Sequence, residues 1–174
     1  MTHATDLAPA PQTTHTTSTT PRLAPARTWL VVMSRDLAEP ALTDSSVVVE
    51  YRHRSRLSAM AHGDGVVGYM PPRRRSDGSI EPRGFNVIGT VADAAPYTVT
   101  SDADGPGEAQ ALYRRRLEVI STTFVRIDDV ALQLKMTRET RQVPAPDAGI
   151  LPLAAEDYIW LADLMEMPSS ERAA

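Results

Sequence analysis

Apolar residues fall along this chain in short runs separated by Pro, Gly and Asp. The first run, Thr28-Trp29-Leu30-Val31-Val32-Met33, has strand length and β-forming composition, and it opens the fold. Pro40 and Asp44-Ser45-Ser46 punctuate the link to the next element. From Val47 the pattern alternates. Val47, Val49, Tyr51 and His53 share one face of an expected strand and Glu50, Arg52, Arg54 and Arg56 share the other, because successive strand side chains point to opposite sides. His62-Gly63-Asp64-Gly65 reads as a turn before a short strand, Val66 to Met70, which Pro71-Pro72 ends because proline brings no N–H to a ladder. Residues 71–84, with Arg73-Arg74-Arg75 and Asp77-Gly78, read as a long exposed loop, and loops of that length inside a domain are often functional. Strands resume at Phe85 to Val91 and at Tyr97 to Thr100.

In the second half, Gly105-Pro106-Gly107-Glu108 is a helix start, with Pro in the first turn and an acid near the positive end of the dipole. Ala109, Leu112, Tyr113, Leu117 and Ile120 then share one face at helical spacing. Thr122 to Ile127 and Val130 to Met136 read as a hairpin around Asp128-Asp129. A Pro-rich link, Val143 to Pro152, leads to a last helix from about Leu153 to Met167, closed by Pro168. The expected fold is a single small α+β domain, residues 28–168, with a mostly antiparallel sheet and two helices.

Residues 1–27 change the picture at the front. They hold eight Thr, four Pro and almost no large apolar side chains, so they cannot offset the entropy of ordering and are expected to form a disordered arm. Residues 169–174 are expected to be a flexible tail. The remaining length is ample for a self-sufficient core. No apolar run approaches the length of a membrane span and the start lacks a secretory pattern, which points to a soluble, cytoplasmic protein. The absence of cysteine excludes disulfides, thiol nucleophiles and zinc ribbons. No cofactor or metal motif is present.

Seventeen of the eighteen basic side chains are Arg, a bias that suits a GC-rich bacterial or phage genome and an accessory protein encoded there. The net charge of −4 conceals a segregation. Residues 51–83 carry seven Arg against three acids, whereas residues 142–174 carry six acids against one Arg. A polyanion would therefore meet the middle of the chain. Arg52, Arg54 and Arg56, repeating every second residue, match the phosphate spacing of a nucleic-acid strand, and Arg73, Arg74, Arg75 and Arg83 could clamp phosphates from the loop. The sequence places no base-stacking aromatics around them, and a solvated face decorated by coding bias accounts for the same pattern. The leading expectation is a non-enzymatic binding or regulatory protein that engages a polyanion, with nucleic acid as the candidate, through phosphate contacts.

Two other readings stand beside it. Trp160, Leu161, Leu164 and Met165 form an apolar stripe on the last helix, which could anchor a protein partner or a second copy, or could close the domain's own core. His62 and Asp64 at the glycine turn are the residues an enzyme would use as a base and its orienter, although no nucleophile elbow or phosphate loop accompanies them. His53 falls on the apolar face of its expected strand and reads as a core histidine.

Overall fold

The computed structural model describes residues 23–100 and 111–168. Among the described residues there are ten strands: β1 (Thr28–Val32), β2 (Ser46–Glu50), β3 (Gly65–Met70), β4 (Arg73–Arg74), β5 (Ile80–Glu81), β6 (Gly84–Val91), β7 (Tyr97–Thr100), β8 (Ala111–Ser121), β9 (Val125–Arg126) and β10 (Ile150–Pro152). The helices are α1 (Arg35–Thr43), α2 (Arg54–Ser58), α3 (Ile127–Val130), α4 (Lys135–Thr140) and α5 (Ala155–Glu166). The main sheet runs β10-β1-β3-β6-β8-β2, with β7 added on β8 and β9 on β6. Among the described strands only β1 and β3 pair in parallel, so the sheet is mixed and mostly antiparallel, as expected.

The sheet curls into a half-barrel whose β2 end returns toward β1. Across that seam the backbone N–H of Val48 donates to the sulfur of Met33 at 3.4 Å. Strands β1, after Thr28, and β3 are apolar because both of their faces are covered. Val31, Met33, Val66 and Met70 join one core with α1, β2 and α2, and Leu30, Val32, Val67 and Tyr69 join the other beneath α5. Tyr158 of α5 lies in the second core, and its hydroxyl donates to the Gly89 carbonyl of β6 at 3.0 Å, tying the helix to the sheet.

Several expected elements take another form. The strand expected from Val47 to Arg56 stops at Glu50, opposite Leu112, where the described part of its neighbour β8 also runs out. Beyond that pair the backbone turns through a 3-10 turn, Tyr51–His53, into α2, and this buries Leu57 completely. The amphipathic helix expected after Glu108 is the long strand β8, and its expected start at Gly105 lies outside the described residues. Helical spacing misled there because Arg115, which is not on the expected apolar face, points inward with Tyr113 and Leu117 and is fully buried.

The hairpin around Asp128-Asp129 is also absent. Val125–Arg126 pairs with β6 instead, and both Asp residues occupy the first turn of α3, where carboxylates suit the positive end of the helix. Residues 135–140 are helical because Asp157, from α5, accepts hydrogen bonds from the Lys135 and Met136 backbone N–H groups at 2.7 and 2.9 Å. Lys135 and Met136 form the first turn of α4, so a carboxylate distant in sequence supplies its cap. The link containing Pro40 is helix α1, with Pro40 inside it. Loop 71–84 is ordered by the small β4–β5 hairpin, whose turn is fixed by Asp77 accepting from Ser79 N–H at 2.9 Å and by Gly78 at φ +83°. Of the two expected helices, the C-terminal one stands.

Candidate nucleic-acid interface

The turn after β2 brings cationic and aromatic side chains together at the seam of the half-barrel. Tyr51, first in that turn, is 63% exposed. Its ring lies 6.0 Å from that of Tyr113 on β8, tilted by 57°. The Arg54 guanidinium sits 6.0 Å from the Tyr51 ring centre and 5.5 Å from that of Tyr113, within cation–π range of both. Arg52 pairs with Glu50 at 3.0 Å with both side chains open to solvent. Arg56 turns away and donates to the Ile150 carbonyl at 2.5 Å, tying α2 to β10. The expected single-file row of Arg52, Arg54 and Arg56 therefore does not exist. A helix has replaced the strand, and the three side chains diverge to an acid, an aromatic pair and a backbone carbonyl.

Beside this platform a cavity of about 60 Å³ opens between the end of β1 and β2, bordered by Ser34, Leu37, Glu50, Arg52 and His53. The first turn of α1 connects it to the loop arginines, because Arg35 and Asp36 adjoin Ser34 and hold the β4–β5 hairpin. Arg73 pairs with Asp36, and Glu81 receives both Arg35 at 2.7 Å and Arg75 at 2.5 Å. Arg83 pairs with Asp128 at 2.7 Å. The hydrogen bond from Arg75 holds the Glu81 carboxyl below its usual range, and that from Arg83 does the same for Asp128. Arg74 is exposed and has no acid partner among the described residues. The loop's charge is thus largely offset by carboxylates, of which Asp36 and Asp128 are open to solvent, where such pairs contribute little to stability and exchange readily, while Glu81 is mostly buried.

His53 packs its ring against Gly149, whose φ of +67° and lack of a side chain admit it. Burial and then Arg52 lower its pKa from 6.5, with Arg56 acting in the same sense and Glu50 and Asp147 opposing. A histidine whose folded pKa lies below its unfolded value favours folding while neutral. That contribution is complete above about pH 6.5 and declines as pH falls toward the folded pKa. Urea midpoints measured from pH 7.5 to 5 should therefore fall more steeply for the wild type than for His53→Gln; parallel profiles would refute this role.

The other expected sites have different surroundings. Leu161 and Met165 are fully buried in the second core, and Trp160 and Leu164 are half-buried against it. His62 is exposed, whereas Asp64 is 4% exposed and accepts hydrogen bonds from the Trp29 indole N–H and the Ala61 backbone N–H, each at 2.9 Å, besides an ion pair with Arg27 at 3.0 Å. Its oxygens are thus engaged in holding a turn. Among the described residues no group of three His, Asp or Glu side chains could hold a metal ion, and no helix is long and apolar enough to cross a membrane.

The residue that sequence reasoning missed is Tyr113. It lies far from Tyr51 in the chain and meets it only because β8 pairs with β2, Val49 opposite Tyr113. Tyr51 was in view but assigned to a buried strand face.

Fold and rim together define a curled, mixed-sheet α+β half-barrel with a cationic and aromatic rim at its seam. The same fold is found in a protein from Pseudomonas syringae, which is 15% identical, with 79% of this chain covering 99% of that one at a TM-score of 0.52. A Pseudomonas putida protein shows 15% identity over 78% of this chain and 97% of its own at a TM-score of 0.48. Human THYN1, in a crystal structure with DNA containing 5-methylcytosine, shows 13% identity over 82% of this chain and 99% of its own at 0.47. No protein-family model matches the chain, and no curated protein does so significantly.

Proposed function

We propose that the protein binds nucleic acid at the seam of the half-barrel, taking an unpaired base on the Tyr51–Tyr113 platform and phosphates on Arg54, Arg52 and the β4–β5 hairpin. The observation that carries this reading is the exposed Tyr51 ring, backed by the tilted Tyr113 ring and with Arg54 beside it, since an open aromatic ring next to a guanidinium fits stacking of one base together with a phosphate contact. Arg74 can meet a phosphate directly. Arg73 and Arg75 can do so by exchanging a surface carboxylate for a phosphate oxygen. Such contacts carry little sequence information by themselves.

Fluorescence anisotropy with labelled single-stranded and duplex oligonucleotides across a salt series tests this. The logarithm of affinity should fall linearly with that of salt, and Arg54→Ala should reduce the slope by about 0.7 for a single strand. Tyr51→Ala should weaken binding about tenfold, in line with the loss of one stacked base. Asp36→Asn should strengthen binding, because it releases Arg73 from its carboxylate. Absence of binding at low salt, or an unchanged affinity in folded Tyr51→Ala, would refute the proposal.

A further inference from the structure

The opposite face of the strand that supplies Tyr113 carries a second pairing of cations with an aromatic ring. Register places Tyr97 opposite Arg114 and Val99 opposite Leu112, so these share one face of the β7–β8 ladder. Tyr113, next to Arg114, projects from the other. On the Tyr97 face a groove of about 490 Å³ opens between β7, β8 and the turn joining α1 to β2. That volume is in the range of small-molecule sites, about 300–1,000 Å³.

Val99 and Ala92 give the groove apolar walls. The Arg116 guanidinium lies 5.8 Å from the Tyr97 ring centre and has no carboxylate partner among the described residues. Asp93 engages the Arg116 backbone instead, accepting its N–H at 2.9 Å. Arg114 spends one terminal nitrogen on Asp44, while its Nε is buried without a hydrogen bond. One guanidinium without an ion pair, a second with an unused buried donor, and an aromatic ring thus share one concave surface.

We propose that this groove is a mononucleotide-binding site, with the base along Tyr97 and Val99 and the phosphate on Arg116 and the Nε of Arg114. A guanidinium resting on a ring is already oriented, and its planar fork matches phosphate oxygens better than an ammonium does. The buried Nε of Arg114 gains the acceptor it lacks. The site is independent of the Tyr51 platform, since the two project from opposite faces of β8.

The test is a titration of the full chain with 5′-AMP, adenosine and inorganic phosphate, followed by the amide NMR signals of Val99, Arg116 and Leu117. AMP should give saturable shifts at millimolar concentration or below and bind at least about tenfold more tightly than adenosine or phosphate. Tyr97→Ala and Arg116→Ala should each weaken AMP about tenfold, Arg116→Lys should fail to restore it fully, and Tyr51→Ala should leave it unchanged. Circular dichroism of each variant establishes that it is folded. No saturable shift with AMP, phosphate binding as tightly as AMP, or undiminished binding in folded Arg116→Ala would overturn the assignment. Loss of oligonucleotide binding in Tyr51→Ala with AMP binding intact would separate the two sites.

Discussion

Asp93→Ala should cost about 3–5 kcal/mol of folding stability, more than removal of its partner Arg115. The Arg115 side chain is fully buried in the middle of β8, with its Nε 2.6 Å from an Asp93 oxygen and one terminal nitrogen donating to the Asp93 carbonyl at 2.9 Å. Truncating Asp93 strands a guanidinium in the interior that cannot lose its proton, so the penalty is that of an unpaired buried charge. It also deprives the Arg116 N–H of its acceptor. Arg115→Met removes the buried charge while keeping an unbranched apolar stem, and it leaves Asp93 with partial access to water and the Arg116 N–H. Its cost should stay below about 2 kcal/mol. Urea unfolding of the two variants checks the order. Equal losses, or a greater loss for Arg115→Met, would mean that packing by the stem rather than charge pairing holds this part of β8.

Asp64→Ala should cost about 2–4 kcal/mol, because each buried donor left without an acceptor forfeits about 1–3 kcal/mol. The Asp64 carboxylate joins the turn after α2 to the first strand through the Trp29 indole and the Ala61 N–H. Its backbone continues the clamp, with Val91 N–H donating to the Asp64 carbonyl at 2.9 Å. Asp64→Asn retains one acceptor oxygen and should lose less. A double-mutant cycle with Trp29→Phe isolates the indole bond, and the paired losses should fall short of additive by about 1 kcal/mol. Full additivity would show that Asp64 stabilises the turn through Ala61 and Arg27 alone.

These two carboxylates, with Asp157 at the start of α4, illustrate what cannot be read along a chain. Each satisfies donors from a segment at least twenty residues away, apart from the local Ala61 contact of Asp64. The same applies to the arginines. Their enrichment between residues 51 and 83 is plain in the sequence and suggests a strong positive field, but Asp36 and Asp128 come from outside that stretch to offset Arg73 and Arg83. The cationic surface that remains is centred on Arg54 and Arg74, and its aromatic component arrives from β8.

Patterns along the chain suffice for β1, β3, β6, β7 and α5, together with the turn at Gly63. These elements rest on short-range causes: runs dominated by β-forming apolar residues, a helical stripe behind an acidic first turn, and a glycine at positive φ. The end of β2, the strand form of β8 and the helical form of residues 135–140 depend on contacts between distant segments. The chain turns after Glu50 because Leu57 finds a buried site beneath α2, β8 can bury Arg115 because Asp93 is waiting, and residues 135–140 can coil because Asp157 caps them. Pairing, ion-pair exchange and capping are interactions between distant segments. Their free energy therefore depends on where the fold brings those segments, and the Tyr51–Tyr113–Arg54 platform is one of its products.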